Sequence, residues 1–78
     1  MANTNLLRRK IEYDGIKVTV LSYRMGISRT TLWSRLHDKS EFKPDEEKDI
    51  CRVLRLNEEE RISIFGHDPI RNDILGRR

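Results

Sequence analysis

Apolar residues recur along the chain at intervals of three and four, and glycine, proline or a capping residue separates one group from the next. Such intervals place side chains on one face of an α-helix, and the intervening residues mark helix ends. Five helices are predicted on this basis, at about Asn5–Tyr13, Lys17–Met25, Ser28–His37, Pro44–Leu54 and Asn57–Phe65. Short helices with brief connections predict an all-α, compact bundle in a single domain spanning residues 1–78.

Local chemistry predicts several of the helix ends. Pro44 suits the first position of a helix, where its missing N–H is not needed. Asn57 with Glu60 three residues later has the spacing of a capping box, in which each side chain pairs with the other residue's backbone N–H. Gly15 and Gly66 stand where a terminating glycine belongs. The starts of the fourth and fifth helices and the ends of the first and fifth are therefore predicted.

The second segment is ambiguous. The stretch "IKVTVLSY" alternates β-branched and polar residues, which by propensity favours a strand. Leu21 and Met25 stand four apart and Gly26 follows them, which favours a helix. Periodicity leaves both readings open at this point.

The tripeptide Gly26-Ile27-Ser28 has the composition of a sharp turn between two helices. Glycine permits the left-handed backbone that such a corner needs. Isoleucine can bury into the corner, and Ser28 is a good N-cap for the helix that follows. Leu21 before the turn and Leu32 after it can pack together. A helix-turn-helix is therefore predicted.

The stretch "VTVLSYRMGISRTTLWSRL" resembles the helix-turn-helix of small phage and prophage repressors and Cro-type regulators, and "LHDKSEF" before an acidic helix is also similar to regulators of this class. The resemblance covers about residues 6–65. It implies a lambda-repressor-like fold, a helical second segment and sequence-specific transcription regulation. Two positions depart from the pattern. Val18 replaces a common phosphate-binding glutamine, so that contact is not implied here, and Ser22 replaces a common alanine.

The third helix carries side chains suited to reading DNA. With Leu32 and Leu36 pointing inward, a turn of 100° per residue directs Thr30, Ser34 and His37 outward. Exposed first turns reach base edges in docked proteins of this kind, and arginine can bind guanine O6 and N7 together. The predicted DNA-binding residues are Lys17, Ser28, Arg29, Thr30, Trp33, Ser34, Arg35, His37 and Lys39.

These residues have different predicted roles. Arg29 is the expected base reader, whereas Lys17, Arg35 and Lys39 are expected to contact phosphates, which position the protein without reading sequence. For Trp33, packing or contact with a partner protein is an open alternative, because its ring has much apolar area to bury. For His37, a structural role at the helix end is also open.

Charge is unevenly distributed. The chain has a net charge of +3, yet residues 1–40 hold eight basic and three acidic residues, and residues 41–60 hold four basic and eight acidic ones. A basic portion that contains the predicted helix-turn-helix suits a polyanionic partner, double-stranded DNA. The small net charge leaves a protein-binding role open.

Other classes of function receive no support from the sequence. No apolar run approaches the roughly 20 residues that span a bilayer, so no membrane partner is expected. The single cysteine, Cys51, is expected to be buried, and with His67 and Asp68 it lacks metal-ligand spacing. No cofactor, metal or catalytic constellation is predicted. We expect a non-enzyme located in the bacterial cytoplasm or nucleoid.

The leading hypothesis is a transcriptional regulator of a phage or mobile element. One recognition helix reads too few base pairs for useful specificity, so a homodimer is expected, formed through the fifth helix and the tail at 66–78. The tail is read as flexible or partner-docking. The residues expected to supply the dimer surface are Ile62, Phe65, Ile70, Ile74 and Leu75. Two alternatives are an excisionase-like factor that bends DNA and an antirepressor-like module that binds another regulator protein.

Overall fold

The computed structural model describes residues 2–71, which form five α-helices and the first turn of another at residues 69–71, with no strand among them. The helices are α1 (Thr4–Asp14), α2 (Val18–Met25), α3 (Arg29–Leu36), α4 (Pro44–Val53) and α5 (Glu58–Phe65). The predicted all-α bundle is confirmed, and each helix lies within one residue of its predicted ends.

The helix ends follow from the capping chemistry in the sequence. Asn57 Oδ1 accepts from the Glu60 N–H at 2.8 Å, and Glu60 Oε1 accepts from the Asn57 N–H at 2.9 Å, so the predicted capping box is confirmed. Pro44 occupies the first turn of α4. Gly26 ends α2 with φ of +72°, a conformation that side chains with a Cβ rarely adopt. Local signals therefore suffice to delimit these helices.

One hydrophobic core joins all five helices. Its buried members are Leu7, Ile11, Leu21, Met25, Leu32, Leu36, Ile50, Cys51, Leu54, Leu56, Ile64 and Phe65. Helix α2 packs against α3 and α4, while α1 packs against α3 and α5. Cys51 is buried as predicted, and burial raises the pKa of its thiol to about 12.

The ambiguity in the second segment is resolved by burial on one side of a helix. Leu21, Ser22 and Met25 face the core, whereas Thr19, Val20 and Tyr23 are exposed. A strand would have placed alternate residues on the same side. The one-sided burial at intervals of three and four shows that tertiary packing overrides the β-propensity of the valines.

Two residues expected at a dimer surface belong to the chain's own core. Phe65 is only 5% exposed and meets Phe42 edge to face, with ring centroids 5.8 Å apart. Ile70 packs against the same core. Ile62 is exposed, while Ile74 and Leu75 lie outside the described residues. The core extends beyond the apolar residues of the first four helices. It therefore also buries Phe65 and packs against Ile70, which were expected to remain available for a dimer contact.

The start of the predicted tail is tied to α5. The Arg61 guanidinium donates to both carboxylate oxygens of Asp68, at 2.6 and 2.8 Å. The same carboxylate accepts from the backbone N–H groups of Ile70 and Arg71. These donors lower the pKa of buried Asp68 to about 2, with the Arg61 hydrogen bonds as the main cause. Residues 66–71 therefore pack as part of the domain.

Candidate nucleic-acid interface

The connection between α2 and α3 is a compact three-residue corner. Gly26 supplies the left-handed backbone, and half-buried Ile27 packs against the core. Ser28 is the N-cap of α3, as predicted. Its Oγ accepts from the Thr31 N–H at 3.0 Å and donates to Thr31 Oγ1 at 2.8 Å. This corner fixes the direction in which α3 begins and leaves its first turn on the surface.

Helix α3 divides into an inner side and an outer face. Leu32 and Leu36 are 0% and 3% exposed, so the inward pair is placed as predicted. We call the exposed side the outer face of α3 and define it by Arg29, Thr30, Trp33 and His37. A shallow depression of about 150 Å³ lies between the first three of these residues. The outer face thus offers charged, hydroxyl and aromatic groups to a ligand.

The aromatic residues of the outer face pack on each other. Trp33 and His37 stand one helical turn apart, with ring centroids 4.3 Å apart and an angle of 38° between the planes. Trp33 remains 48% exposed despite this contact. The contact with His37 therefore covers only part of the Trp33 surface, and the rest is open to solvent. His37 also ends the helix as its C-cap, so its structural role is present beside its exposure.

Arg35 has a different environment from the one predicted. Its Nε and Nη2 donate to the two carboxylate oxygens of Glu46 at 2.7 and 3.1 Å, and its Nη1 donates to Ser40 Oγ at 2.6 Å. The side chains of Arg35 and Glu46 are only 13% and 11% exposed. A phosphate contact would have to displace these partners. We therefore correct the interpretation of Arg35 from a contact residue to a link between α3 and α4.

Ser34 also lies away from the outer face. It is half-buried, and its Oγ is 3.0 Å from Ser40 Oγ. The exposed side of α3 is accordingly centred on Trp33 and Thr30, and it is rotated away from the Ser34 side predicted from the positions of the two leucines. The cause is the loop after α3, where Ser40 covers the flank that carries Ser34 and Arg35.

Two further contacts from α1 hold the last turn of α3 and Asp38, which follows the C-cap of this helix. Arg8 Nη1 donates to the backbone oxygen of Leu36 at 2.5 Å. Thr4 Oγ1 lies 3.0 and 3.1 Å from the two carboxylate oxygens of Asp38, a residue with φ of +61°. Both contacts join residues about 30 positions apart, and neither was predicted from the sequence. The only signal was the placement of polar residues beside the inward stripe of α1.

The electrostatics of the two ends of α3 differ. Hydrogen bonds from Arg35 lower the pKa of Glu46, and the Lys43 N–H, which donates to the same carboxylate at 2.9 Å, lowers it further. Thus the charge of Arg35 is neutralised at the last turn. Arg29, Lys17 and Lys39 are exposed, and none of them forms an ion pair within residues 2–71. Arg29 therefore leaves an uncompensated positive charge at the first turn of α3, and Lys17 and Lys39 leave two more in the segments before α2 and after α3.

Comparison of the chain with protein-family models, with curated proteins and with solved structures gave no match. Within residues 2–71, no helix is long and apolar enough to cross a membrane. The same residues contain no group of three or more His, Cys, Asp or Glu side chains placed to hold a metal ion. Evidence for a function therefore comes from the geometry of α3 and its surroundings.

Proposed function

We propose that this protein is a sequence-specific DNA-binding transcription regulator of a phage or mobile element, which inserts α3 into the major groove as the recognition helix of a helix-turn-helix. One observation carries the proposal. The outer face of α3 projects exposed Arg29 and Thr30 from a helix whose inner side is buried and whose last turn is tied to two neighbouring helices. The proposed role is binding without catalysis.

Arg29 is the proposed base reader. It lies in the first turn of α3, which is the part of such a helix that reaches base edges. Its guanidinium is exposed and makes no ion pair within residues 2–71, so no intramolecular partner competes with DNA. Arginine bound to guanine O6 and N7 gives roughly 1–3 kcal/mol of discrimination against other bases. Thr30 beside it can offer a methyl group to thymine or a hydroxyl to several bases.

The proposed phosphate contacts are Lys17, Lys39 and the backbone N–H of Ser28. Lys17 precedes α2 and Lys39 follows α3, and both are exposed. Ser28 places a backbone N–H at the positive end of α3, where a phosphate is favoured. Such contacts fix orientation on the duplex and carry no sequence information. Arg35 is left out of this set because its guanidinium is bound to Glu46.

The ties at the last turn give the interface its rigidity. Arg35–Glu46, Arg8–Leu36 and Thr4–Asp38 connect one end of α3 to α4 and α1. A helix held in one orientation presents its base-reading side chains without a further ordering cost on binding. We infer that these contacts serve recognition indirectly, by positioning the outer face.

A pair of copies is the expected DNA-bound form. The eight residues of α3 can contact only a few base pairs, so two copies on half-sites about one turn of DNA apart, roughly 10 base pairs, would supply specificity. We propose a homodimer for this reason. Of the residues expected at its surface, Phe65 and Ile70 are used within the chain, Ile62 is exposed, and Ile74 and Leu75 lie outside the described residues.

The test is selection of random duplex DNA by the purified protein at about 150 mM salt, which suppresses weak nonspecific binding. The selection is repeated with Arg29→Ala and with Arg52→Ala. Arg52 is a matched control because it is 56% exposed on α4 and its one ion-pair partner within residues 2–71 is nearby Asp49. Both variants lose one positive charge, but only the first alters the outer face.

We expect an enriched repeat with the parent protein and with Arg52→Ala, and loss of preference at one base position with Arg29→Ala. No enrichment with any of the three proteins would refute sequence-specific binding and favour a protein-binding module. Enrichment that Arg29→Ala leaves unchanged would place the reading surface elsewhere. Tandem sites with strong bending and no pairing of copies would favour the architectural alternative.

A further inference from the structure

A groove between α1 and α5 lies apart from the outer face of α3. It has a volume of about 400 Å³. Its lining residues are Leu6, Arg9, Lys10, Tyr13, Glu59, Glu60, Ser63 and Ile64. We call it the α1–α5 groove. None of these residues takes part in the proposed DNA interface, so the groove requires a separate explanation.

Helix α1 presents two distinct faces. Leu7 and Ile11 are buried in the core. Leu6 and Tyr13, seven residues apart, lie on a second face that lines the groove. Tyr13 is 87% exposed, which is a large aromatic surface left open to water on a small domain. A helix with a second, partly apolar face is typical of a surface that meets another helix or protein.

The two walls of the groove carry opposite charges. Lys10 on α1 and Glu60 on α5 form an ion pair at 3.3 Å between the two walls. Arg9 on the α1 wall and Glu59 on the α5 wall are exposed, and neither makes an ion pair within residues 2–71. One uncompensated positive charge and one uncompensated negative charge therefore remain on opposite walls.

We propose that the α1–α5 groove is the site where a second copy of this chain docks, related to the first by a two-fold axis. In such a contact any residue pair occurs twice, with the roles of the copies exchanged. Arg9 of one copy then meets the partner's Glu59, and the reverse contact forms at the same time. Tyr13 of each copy covers the apolar floor of the partner's groove, around Leu6 and Ile64.

The size of the groove sets the strength of the expected dimer. A standard stable interface uses about 20–30 residues on each side, which is more than the residues that line this groove. We therefore expect weak self-association in the absence of DNA, detectable only at high protein concentration. The contact between exposed charges should also weaken with added salt. This inference does not depend on DNA binding.

The test is sedimentation equilibrium without DNA, at protein concentrations up to about 1 mM, on four proteins. They are the parent chain, Arg9→Glu, Glu59→Arg, and the chain with both changes. Each single change places two like charges across the proposed contact, whereas the double change restores both attractions with the signs reversed. Both residues are exposed, so thermal unfolding of each variant serves as the control for folding.

We expect self-association of the parent chain, a rise in Kd of at least about tenfold for each single variant, and recovery in the double variant. An equimolar mixture of the two single variants should also recover, because both contacts are then attractive between unlike copies.

Three outcomes would overturn the proposal. The parent chain could stay monomeric up to the highest concentration. Its self-association could be insensitive to the single changes, which would place the interface elsewhere. The single changes could weaken association without recovery in the double variant or the mixture, which would show that Arg9 and Glu59 do not meet.

Discussion

Arg29 and Arg35 stand on the same short helix, six residues apart, yet they differ in almost every physical respect. Arg29 is exposed in the first turn and has no ion-pair partner within residues 2–71. Arg35, in the last turn, donates through Nε and Nη2 to Glu46 and through Nη1 to Ser40, and it is 13% exposed. A basic residue on a surface helix is therefore not by itself a DNA contact. Its partners decide whether it is available or structural.

The comparison extends to the two ends of α3 as a whole. The first turn is held by Ser28 and the core, and it projects groups that face solvent. The last turn is joined to α1 by Arg8 and to α4 by Arg35. Contacts that order one end of a short helix position the groups at its other end. On this account, changes at the last turn alter stability, and changes at the first turn alter recognition.

The largest effect on stability is expected when a buried side chain that anchors α3 in the core is truncated. Leu32 is fully buried at the centre of the core, so Leu32→Ala loses apolar contact and leaves a cavity. We expect a loss of about 2–5 kcal/mol in the free energy of unfolding, measured by urea denaturation. A loss below about 1 kcal/mol would contradict the placement of this residue in the core.

Glu46→Gln tests the ion pair that joins the last turn of α3 to α4. The change leaves the Arg35 guanidinium in a poorly solvated site without its counter-charge, so we expect a loss of about 2–4 kcal/mol, a little below the range for fully buried pairs. Asp45→Asn is the matched control, since the neighbouring Asp45 side chain is 95% exposed and should change stability by less than about 0.5 kcal/mol. Equal effects of the two changes would show that the Arg35–Glu46 pair does not hold α3.

Acid should weaken the ion pairs Arg35–Glu46 and Arg61–Asp68 and so lower the stability of the fold. The pKa values of Glu46 and Asp68 are lowered by their arginine partners, that of Asp68 from 3.8 to about 2. The unfolded chain then binds protons more readily than the folded one. The stabilisation is therefore complete above the ordinary pKa values and is lost as the pH falls through the lowered ones.

Urea denaturation at a series of pH values should show this loss between about pH 5 and pH 2. Asp68 should account for on the order of 1–2 kcal/mol, and its Asn variant should flatten the lower part of the profile. Glu46→Gln should flatten the upper part. A profile that neither variant changes would rule out both ion pairs as sources of the acid sensitivity.

Substitutions of Ser28 test the first turn of α3. Ser28→Ala removes the acceptor for the Thr31 N–H and should cost about 1 kcal/mol of folding stability. Ser28→Asp keeps a capping oxygen and should restore most of that stability, yet its charge near a phosphate should weaken DNA binding. Measuring both properties for both variants separates helix stability from recognition. DNA affinity that simply follows stability in the two variants would argue against a phosphate at this position.

Much of the fold could be predicted from local signals. Ser28, Pro44, Asn57 and the terminating glycines act on their immediate neighbours, so their effects can be read from short stretches of sequence. The second helix could not be settled by periodicity, because its valines favour a strand until packing buries Leu21 and Met25 on one side.

The candidate site was less predictable than the fold. Exposure of Arg29 and Thr30 follows from their place in the first turn of α3. The partners of Arg35, Ser34 and Asp38 could not be inferred, because they come from α4, from the following loop and from α1. Burial of Phe65 likewise depends on how the last helix closes the core. Pairings between distant residues are set by the assembled fold, and no short stretch of sequence contains them.

The most direct test measures the DNA affinity of the parent protein, Arg29→Ala and Arg52→Ala. Each protein is tested on the selected site and on a duplex in which the base pair that Arg29 is proposed to contact has been changed. Arg29→Ala should leave the free energy of unfolding within about 0.5 kcal/mol of the parent value. It should reduce the preference between the two duplexes by roughly 1–3 kcal/mol. Arg52→Ala should retain that preference. Equal losses of preference in both variants, or none in either, would contradict the claim that the first turn of α3 reads DNA.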